Sequence, residues 1–238
     1  MKAFILAAGN GERLRPLTAI TPKCLVAIQS VPLLSIWLDL CRRHGITEVL
    51  INTHSHTEVL KAYLNGHRDA PKVRIAPEEV LLGSAGTLMA NRDWVESEKD
   101  FWIFYGDVLT NVNLTRMLEF HRRQQRLATI GVYEVSNATQ CGIVTVDEAH
   151  VVRKFVEKPP VAVSNLAFSG ILVATPGIFD FIPQQIPADI GFHLLPQLVN
   201  KMAAYPISEY LVDIGTLTSY RKAQTTWPGL GTRRQSAS

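Results

Sequence analysis

Gly9, Gly11, Arg13, Arg15 and Lys23, within "FILAAGNGERLRPLTAITPKCLV", combine glycine turns with fixed positive charge in one short stretch. The apolar run before them reads as a buried strand. The turn after such a strand is where open α/β sheets offer backbone N–H groups to an anion. A phosphate is the natural guest, although Gly9-x-Gly11 taken alone also suits a plain strand-to-helix turn. Two familiar phosphate loops fit poorly. No third glycine completes a dinucleotide fingerprint, and the second strand ends in Asn52-Thr53-His54 rather than a ribose-binding acid. No Gly-Lys-Ser/Thr follows the glycines either, the first lysine after them being Lys23, so this is not a Walker loop.

Two carboxylates repeat a second pattern. Asp107 ends the apolar run of "FWIFYGDV" and Asp213 ends that of "YLVDIG". A carboxylate at the carboxyl end of a buried strand suits a hard divalent cation such as Mg²⁺, and equally a turn or a helix cap. His54 and His56 have no third metal ligand nearby in sequence and read as polar residues at a strand end.

These residues need a sheet to hold them. Apolar runs rich in branched residues predict strands at 2–8, 46–53, 72–77, 100–106 and 127–135. Helical spacing lies between them: Leu33, Ile36, Trp37, Leu40 and Cys41 before Gly45, then Val59, Leu60 and Tyr63 before Gly66, then Leu114, Met117, Leu118 and His121. This alternation predicts an α/β fold, an open and mostly parallel Rossmann-like sheet flanked by helices. After residue 140, "GIVTVD" and "VVRKFVEKP" read as two strands joined around Glu148 to His150. A strand at 166–174, a helix near 192–203, and a last strand and helix across 207–224 follow. The expected organisation is one catalytic domain over 1–227, with a smaller β-rich lobe after residue 140 and a mobile tail at 228–238.

Composition narrows the partners. With 47% hydrophobic and 19% charged residues, the chain has the balance of a folded globular protein. The net charge of +3, from 24 basic and 21 acidic residues, is too mild an excess to call for nucleic acid. Cys24, Cys41 and Cys141 form no CxxC pair, so neither a zinc site nor a disulfide framework is expected. Residues 2–8 are too short to span a membrane, and a cytoplasmic setting is the default. Homo-oligomerisation is left open.

The series Gly9-x-Gly11-x-Arg13-Leu14-Arg15-Pro16-Leu17-Thr18, then Thr21-Pro22-Lys23, resembles the signature of the sugar-1-phosphate nucleotidyltransferases. The likeness continues in order through "LLGSAGTL", "FYGDV", "FVEKP", "FSGI" and "VDIGTLTSY", and so covers almost the whole chain. It implies transfer of a nucleotidyl group from a nucleoside triphosphate to a sugar 1-phosphate with release of pyrophosphate. On that reading Ala8, Gly9, Gly11, Glu12 and Arg13 cradle the triphosphate. Arg13 and Lys23 are then the catalytic cations that stabilise charge on the reacting phosphates. Asp107 and Asp213 share one Mg²⁺.

Gly83-Ser84-Ala85-Gly86-Thr87 resembles the nucleobase-binding turn, with Ser84 and Gly86 at the base and residues 88–95 as the helix after it. The small Gly86 leans the base toward guanine, and the acceptor toward a mannose- or heptose-type 1-phosphate. A UTP-dependent N-acetylmuramate-1-phosphate uridylyltransferase is the runner-up. Glu157 and Lys158 resemble the acceptor segment, the lysine meeting the sugar phosphate and the glutamate a sugar hydroxyl. The other reading of this pair is an exposed, ion-paired strand end. Ser169 and the backbone of Gly170 complete the sugar side, with Phe168 where many members of the family have asparagine. A non-catalytic NDP-sugar-sensing subunit is the alternative from another class, and the intact Arg13, Lys23, Asp107 and Asp213 argue against it.

Overall fold

The computed structural model describes residues 1–66 and 71–231. Four parallel strands make the centre of the sheet: β1 (Lys2–Leu6), β4 (Glu48–Thr53), β5 (Lys72–Pro77) and β6 (Phe101–Tyr105), in the order β6-β1-β4-β5. Helices α1 (Leu33–Arg43), α2 (Thr57–Leu64), α3 (Ser84–Ala90) and α4 (Arg92–Val95) lie between them in sequence. A two-residue ribbon, β2 (Ala27–Ile28) with β3 (Val31–Pro32), leads into α1. Beyond β6 the sheet becomes mixed. β11 (Leu166–Ala174) runs antiparallel to β6 and to β8 (Ala128–Glu134), and β12 (Met202–Pro206) is parallel to β8. The hairpin of β9 (Gly142–Val146) and β10 (Val152–Glu157) joins the same sheet through β11. Helix α5 (Leu114–Gln124) precedes β8, and α6 (Leu217–Thr226) closes the fold.

The sheet is buried on both faces, and its strands sort their side chains by the two-residue period. Ala3, Ile5, Val49, Ile51, Trp102 and Phe104 face one core with α1. Phe4, Leu50, Phe101 and Ile103 face the other. Trp37 of α1 stacks on Phe104 with ring centroids 4.6 Å apart, and Phe101 stacks on Phe179 at 5.7 Å. Rigid packing on both sides leaves the strand ends as the places where polar groups converge.

The expected strands and the first three helices are present with small shifts of boundary, although Val59 faces solvent. The predicted turn between β9 and β10 is built by Asp147, whose Oδ1 accepts the N–H groups of Ala149 (3.0 Å) and Val151 (2.8 Å). The helix expected near 192–203 does not form. A short π turn at Ile190–Leu194 and a 3-10 turn at Leu195–Leu198 stand there, followed by β12. Pro196 lacks an N–H and disfavours helix before it, and the apolar Met202–Ala204 run finds a ladder beside β8 instead. The last strands are therefore β12 and β13 (Leu211–Asp213), the latter pairing with β7 (Val108–Thr110).

Of the expected mobile tail, residues 228–231 are tied to the body. Arg43 donates to the carbonyls of Leu230 (3.2 Å) and Gly231 (2.7 Å), and Asn111 donates to that of Gly229 (3.1 Å). Residues 232–238 lie outside the described residues. No helix among the described residues is long and apolar enough to cross a membrane.

Phe104 is fully buried and stacks on both Trp37 and Trp102. Phe104→Ala is expected to lower stability by about 3–5 kcal/mol, as cavity-forming aromatic truncations do. Urea unfolding followed by tryptophan fluorescence measures it.

Candidate active site

The carboxyl ends of β1, β4 and β6 meet at a cavity of about 770 Å³, where parallel α/β sheets bind ligands. The loop leaving β1 lines it with Ala8, Gly9, Gly11, Glu12 and Arg13. Gly11 has φ +63°, and a Cβ there would come within 3.0 Å of Thr18, whose hydroxyl donates to the Gly11 carbonyl at 2.7 Å. A Cβ at Gly9 would meet no protein atom within 4 Å, so packing does not require glycine there.

A buried polar cluster fixes where that loop begins. Asn52, ending β4, accepts the Ala7 N–H through Oδ1 at 2.7 Å and donates through Nδ2 to Glu78 (2.8 Å) and Thr87 (3.0 Å). The Glu78 carboxylate also accepts the Thr87 hydroxyl at 2.5 Å and the Leu82 N–H at 3.1 Å. All three side chains are buried, and a buried carboxylate so well supplied with donors rigidifies its surroundings. The cluster ties the ends of β1, β4 and β5 to α3.

Charge collects at the other wall. Lys23 Nζ lies 2.5 Å from Asp107 Oδ2. Val108, directly after Asp107, pairs with Asp213 across the β7–β13 ladder, and Ile214 N–H donates to the Asp107 carbonyl at 3.0 Å. That ladder brings together two aspartates far apart in sequence. Asp213 is exposed and is not among the residues lining the cavity, yet neighbouring protein atoms crowd it. The crowding raises its pKa, and the Asp107 charge raises it further against the pull of Lys23 and Arg13. Gly215 N–H donates to Asp213 Oδ1 at 2.6 Å. A Cβ at Gly215 would lie 2.7 Å from that oxygen, 3.1 Å from Arg13 Nη2 and 3.4 Å from Lys23 Nζ, so it would crowd the point where these side-chain ends converge.

Ser84, Tyr105 and Asp189 form the third wall. Ser84 Oγ donates to Asp189 Oδ2 at 2.9 Å and accepts the Ile190 N–H at 2.7 Å. Tyr105 hydrogen-bonds with Ser84, and burial together with the nearby Asp189, Glu157 and Asp107 carboxylates pushes its phenol far above the usual range, so it stays protonated. The Glu157 carboxylate fits between two glycines. A Cβ at Gly142 would lie 2.6 Å from its Oε2, and one at Gly191 2.4 Å. Burial raises the Glu157 pKa, the neighbouring Lys158 opposes this, and Asp189 adds to it.

Other expected residues stand elsewhere. The helix expected at 88–95 starts at Ser84, which puts Gly86 in the first turn of α3. The N–H groups of Ala85 and Gly86 both donate to the Ala188 carbonyl, at 2.9 and 3.1 Å, and a Cβ on Gly86 would face Leu82 and Ala188. Gly86 thus packs against the 182–190 segment and has no free N–H for a base, whereas Gly83 and Ser84 do line the cavity. Ser169 Oγ accepts the Ile171 N–H at 3.2 Å and sits where a Cβ on Gly131 would be, turned away from the cavity. Gly170, at φ +78°, packs on Tyr105 and Val108. Lys158, in left-handed backbone at φ +47°, is exposed and holds its ammonium 5.9 Å from the Phe192 ring centroid. His54 Nδ1 is 2.9 Å from the Glu78 carbonyl. Asn52, Glu78, Tyr105, Asp189 and Gly215 were not singled out from sequence. Only Gly215, two residues after Asp213, had a local signal.

A glycine loop, two cations and two aspartates thus meet at the carboxyl side of an α/β sheet. The nucleotidyl transferase family model matches residues 2–228, and the chain belongs to that family. It is 32% identical over 241 residues to the UTP–glucose-1-phosphate uridylyltransferase of Synechocystis sp., covering 94% of this chain and 62% of that protein. It is also 32% identical over 227 residues to mannose-1-phosphate guanylyltransferase 1 of Arabidopsis thaliana, covering 92% and 63%. The chain thus spans less than two thirds of the length of these relatives. In fold it matches the structure of a protein from Bacillus anthracis assigned as a glucose-1-phosphate thymidylyltransferase, with a TM-score of 0.85 at 22% identity over 98% of each chain.

The raised pKa of Glu157 has a testable sign. A carboxyl whose folded pKa lies above its unfolded value stabilises the protein below the ordinary glutamate pKa, and that contribution is lost as pH rises through the folded value. Glu157→Gln should therefore raise the melting temperature at pH 7, with the gain vanishing as pH falls to about 3–4. A gain that persists undiminished at low pH would show that ionisation is not its source.

Proposed function

We propose that this protein transfers a nucleotidyl group from a nucleoside triphosphate to a sugar 1-phosphate, forming an NDP-sugar and pyrophosphate. The observation that carries this reading is the meeting of Arg13, the Lys23–Asp107 pair and Asp213 beside the glycine loop of one cavity. Both reactants are anions. The main barrier to bringing an acceptor phosphate oxygen in line with the α-phosphorus is their mutual repulsion, which fixed cations offset without a general base. Backbone N–H groups between Ala8 and Arg13 would hold the β- and γ-phosphates, with the Arg13 guanidinium on the leaving pyrophosphate. Lys23 would sit between donor and acceptor phosphates.

Asp107 and Asp213 fit Mg²⁺, since two hard carboxylates with room for phosphate and water oxygens match its preference, and their mutual repulsion calls for a cation. Bound there, the ion would supply charge stabilisation at the α-phosphate. Glu157 and Lys158 are assigned to the acceptor, together with the Gly170 backbone. The guanylyltransferase relatives favour GTP with a mannose- or heptose-type 1-phosphate, and Asn52, Glu78, Leu81 and Gly83 are the walls a base would meet. The proposed unit is one catalytic domain over 1–227 working in the cytoplasm, with homo-oligomerisation open.

Pyrophosphate release across a matrix of nucleoside triphosphates and sugar 1-phosphates tests the assignment. Preference for UTP with an N-acetylated amino-sugar acceptor moves it to the uridylyltransferase reading, and no turnover with any pair sinks the enzymatic one. Excess chelator should abolish activity, and Asp107→Ala and Asp213→Ala should each lose Mg²⁺-dependent turnover.

The two lysines separate the steps. Lys23→Ala is expected to lower kcat by on the order of a hundredfold, the loss typical of an electrostatic stabiliser. Lys158→Ala should chiefly raise KM for the sugar phosphate, leaving triphosphate affinity by calorimetry nearly unchanged. The reverse pattern would overturn the assigned roles.

A further inference from the structure

The sheet carries a second cavity, of about 570 Å³, at the end opposite the first. It lies where Asp100 leads into β6, Leu127 into β8 and Lys201 into β12, with Thr175 leaving the antiparallel β11. Four cations line it, Lys99, Arg122, Arg126 and Lys201, against the single carboxylate of Asp100. This local excess is as large as the net charge of the whole chain, +3.

The carboxylate is already committed. Asp100 is buried and accepts Arg122 Nε at 2.9 Å, with His121 Nε2 at 3.5 Å. Burial holds the His121 pKa down against the attraction of Asp100, so the imidazole adds no charge at neutral pH. Asp100 therefore compensates Arg122 and leaves the other three cations without a carboxylate in the cavity wall.

Arg126 is held in place but not satisfied. Its Nη1 donates to the Asn200 carbonyl at 2.9 Å, while its Nε is buried with no hydrogen-bond partner among the described residues. The Nε itself is closed off from solvent, so what Arg126 offers the cavity is the charge of a guanidinium whose orientation Asn200 fixes. The negative end of α5 accounts for some positive charge in its last turn, but Lys99 and Lys201 come from other elements.

We propose that this cavity is a second ligand site, for a small phosphate-bearing anion. A phosphate offers several oxygens to a guanidinium fork and accepts point charges from lysines on either side. The positioned Arg126 guanidinium supplies a fixed cation, and the exposed Lys99 and Lys201 supply mobile charge, Lys201 from an ammonium 5.4 Å from the Phe181 ring centroid. The volume exceeds that of a bare phosphate and falls in the range of small-molecule sites, so a phosphorylated body of about hexose size fits it. The chemistry differs from that of the nucleotide cavity, because no glycine loop and no aspartate pair stand here.

Titration with inorganic phosphate and with glucose 6-phosphate tests the site, at constant ionic strength with chloride as the reference. The background is Arg13→Met/Lys23→Met, so that the nucleotide cavity is disarmed and the outcome does not depend on the proposed reaction. Arginine Nε–H resonances are read by NMR, and circular dichroism checks that each variant is folded. The expected result is a saturable shift of one buried Nε–H, absent in Arg126→Lys, with affinity weakened about tenfold or more in Arg126→Lys and in Lys201→Met. Tighter binding of the sugar phosphate than of phosphate supports a phosphorylated metabolite as occupant, and equal affinity supports phosphate itself. Two results overturn the proposal: no saturable binding of either anion, or binding that Arg126→Lys, Lys99→Met and Lys201→Met all leave unchanged.

Discussion

The parallel pairing of β1 with β4 on one side and β6 on the other is the constraint from which the cavity follows. With Phe4 and Ile5 buried on opposite faces and both ladder edges filled, β1 has no freedom to slide, since a one-residue slip would swap the two cores. Its carboxyl end is therefore a fixed point. Asn52 receives Ala7 on the β4 side, and Gly106 N–H donates to the Leu6 carbonyl at 2.9 Å on the β6 side. The glycine loop starts from a position set by the sheet rather than by its own residues.

Electrostatics takes over where the ladder stops. Asp107, Lys23 and Arg13 line the cavity with Asp213 beside them; crowding by protein raises the Asp213 pKa, and the Asp107 charge raises it further against the pull of Lys23 and Arg13. Ser84, Asp189 and Tyr105 form a more nearly satisfied wall, in which each carboxylate oxygen of Asp189 has a donor.

Glycines at this site act by what they leave out. Gly215 leaves room for three charged groups, and Gly142 and Gly191 for the Glu157 carboxylate. Gly83, at φ +78°, lets the Ala188 carbonyl approach to 2.3 Å of where its Cβ would stand, which lets that carbonyl cap the first N–H groups of α3. The same cap removes Gly86 from the cavity.

Local signals carried much of this in the sequence. The apolar runs determined the strands, because burial on both faces demands them, and glycine spacing with Arg13 and Lys23 marked the loop, because anions need free N–H groups and charge. Asp107 and Asp213 were legible as strand-end carboxylates. Their partnership came only from the family resemblance, because no local pattern carries the separate β7–β13 ladder, a contact between distant segments. The helix expected near 192–203 gave way to short π and 3-10 turns up to Leu198 and then to a strand, since β8 offered Met202–Pro206 a ladder that no helical period reveals. Asn52, Glu78 and Asp189 look like ordinary polar residues along the chain. Only the tertiary structure decided that they hold the loop and line the cavity, since a hydrogen bond between strands far apart in sequence leaves no mark on the spacing within either one.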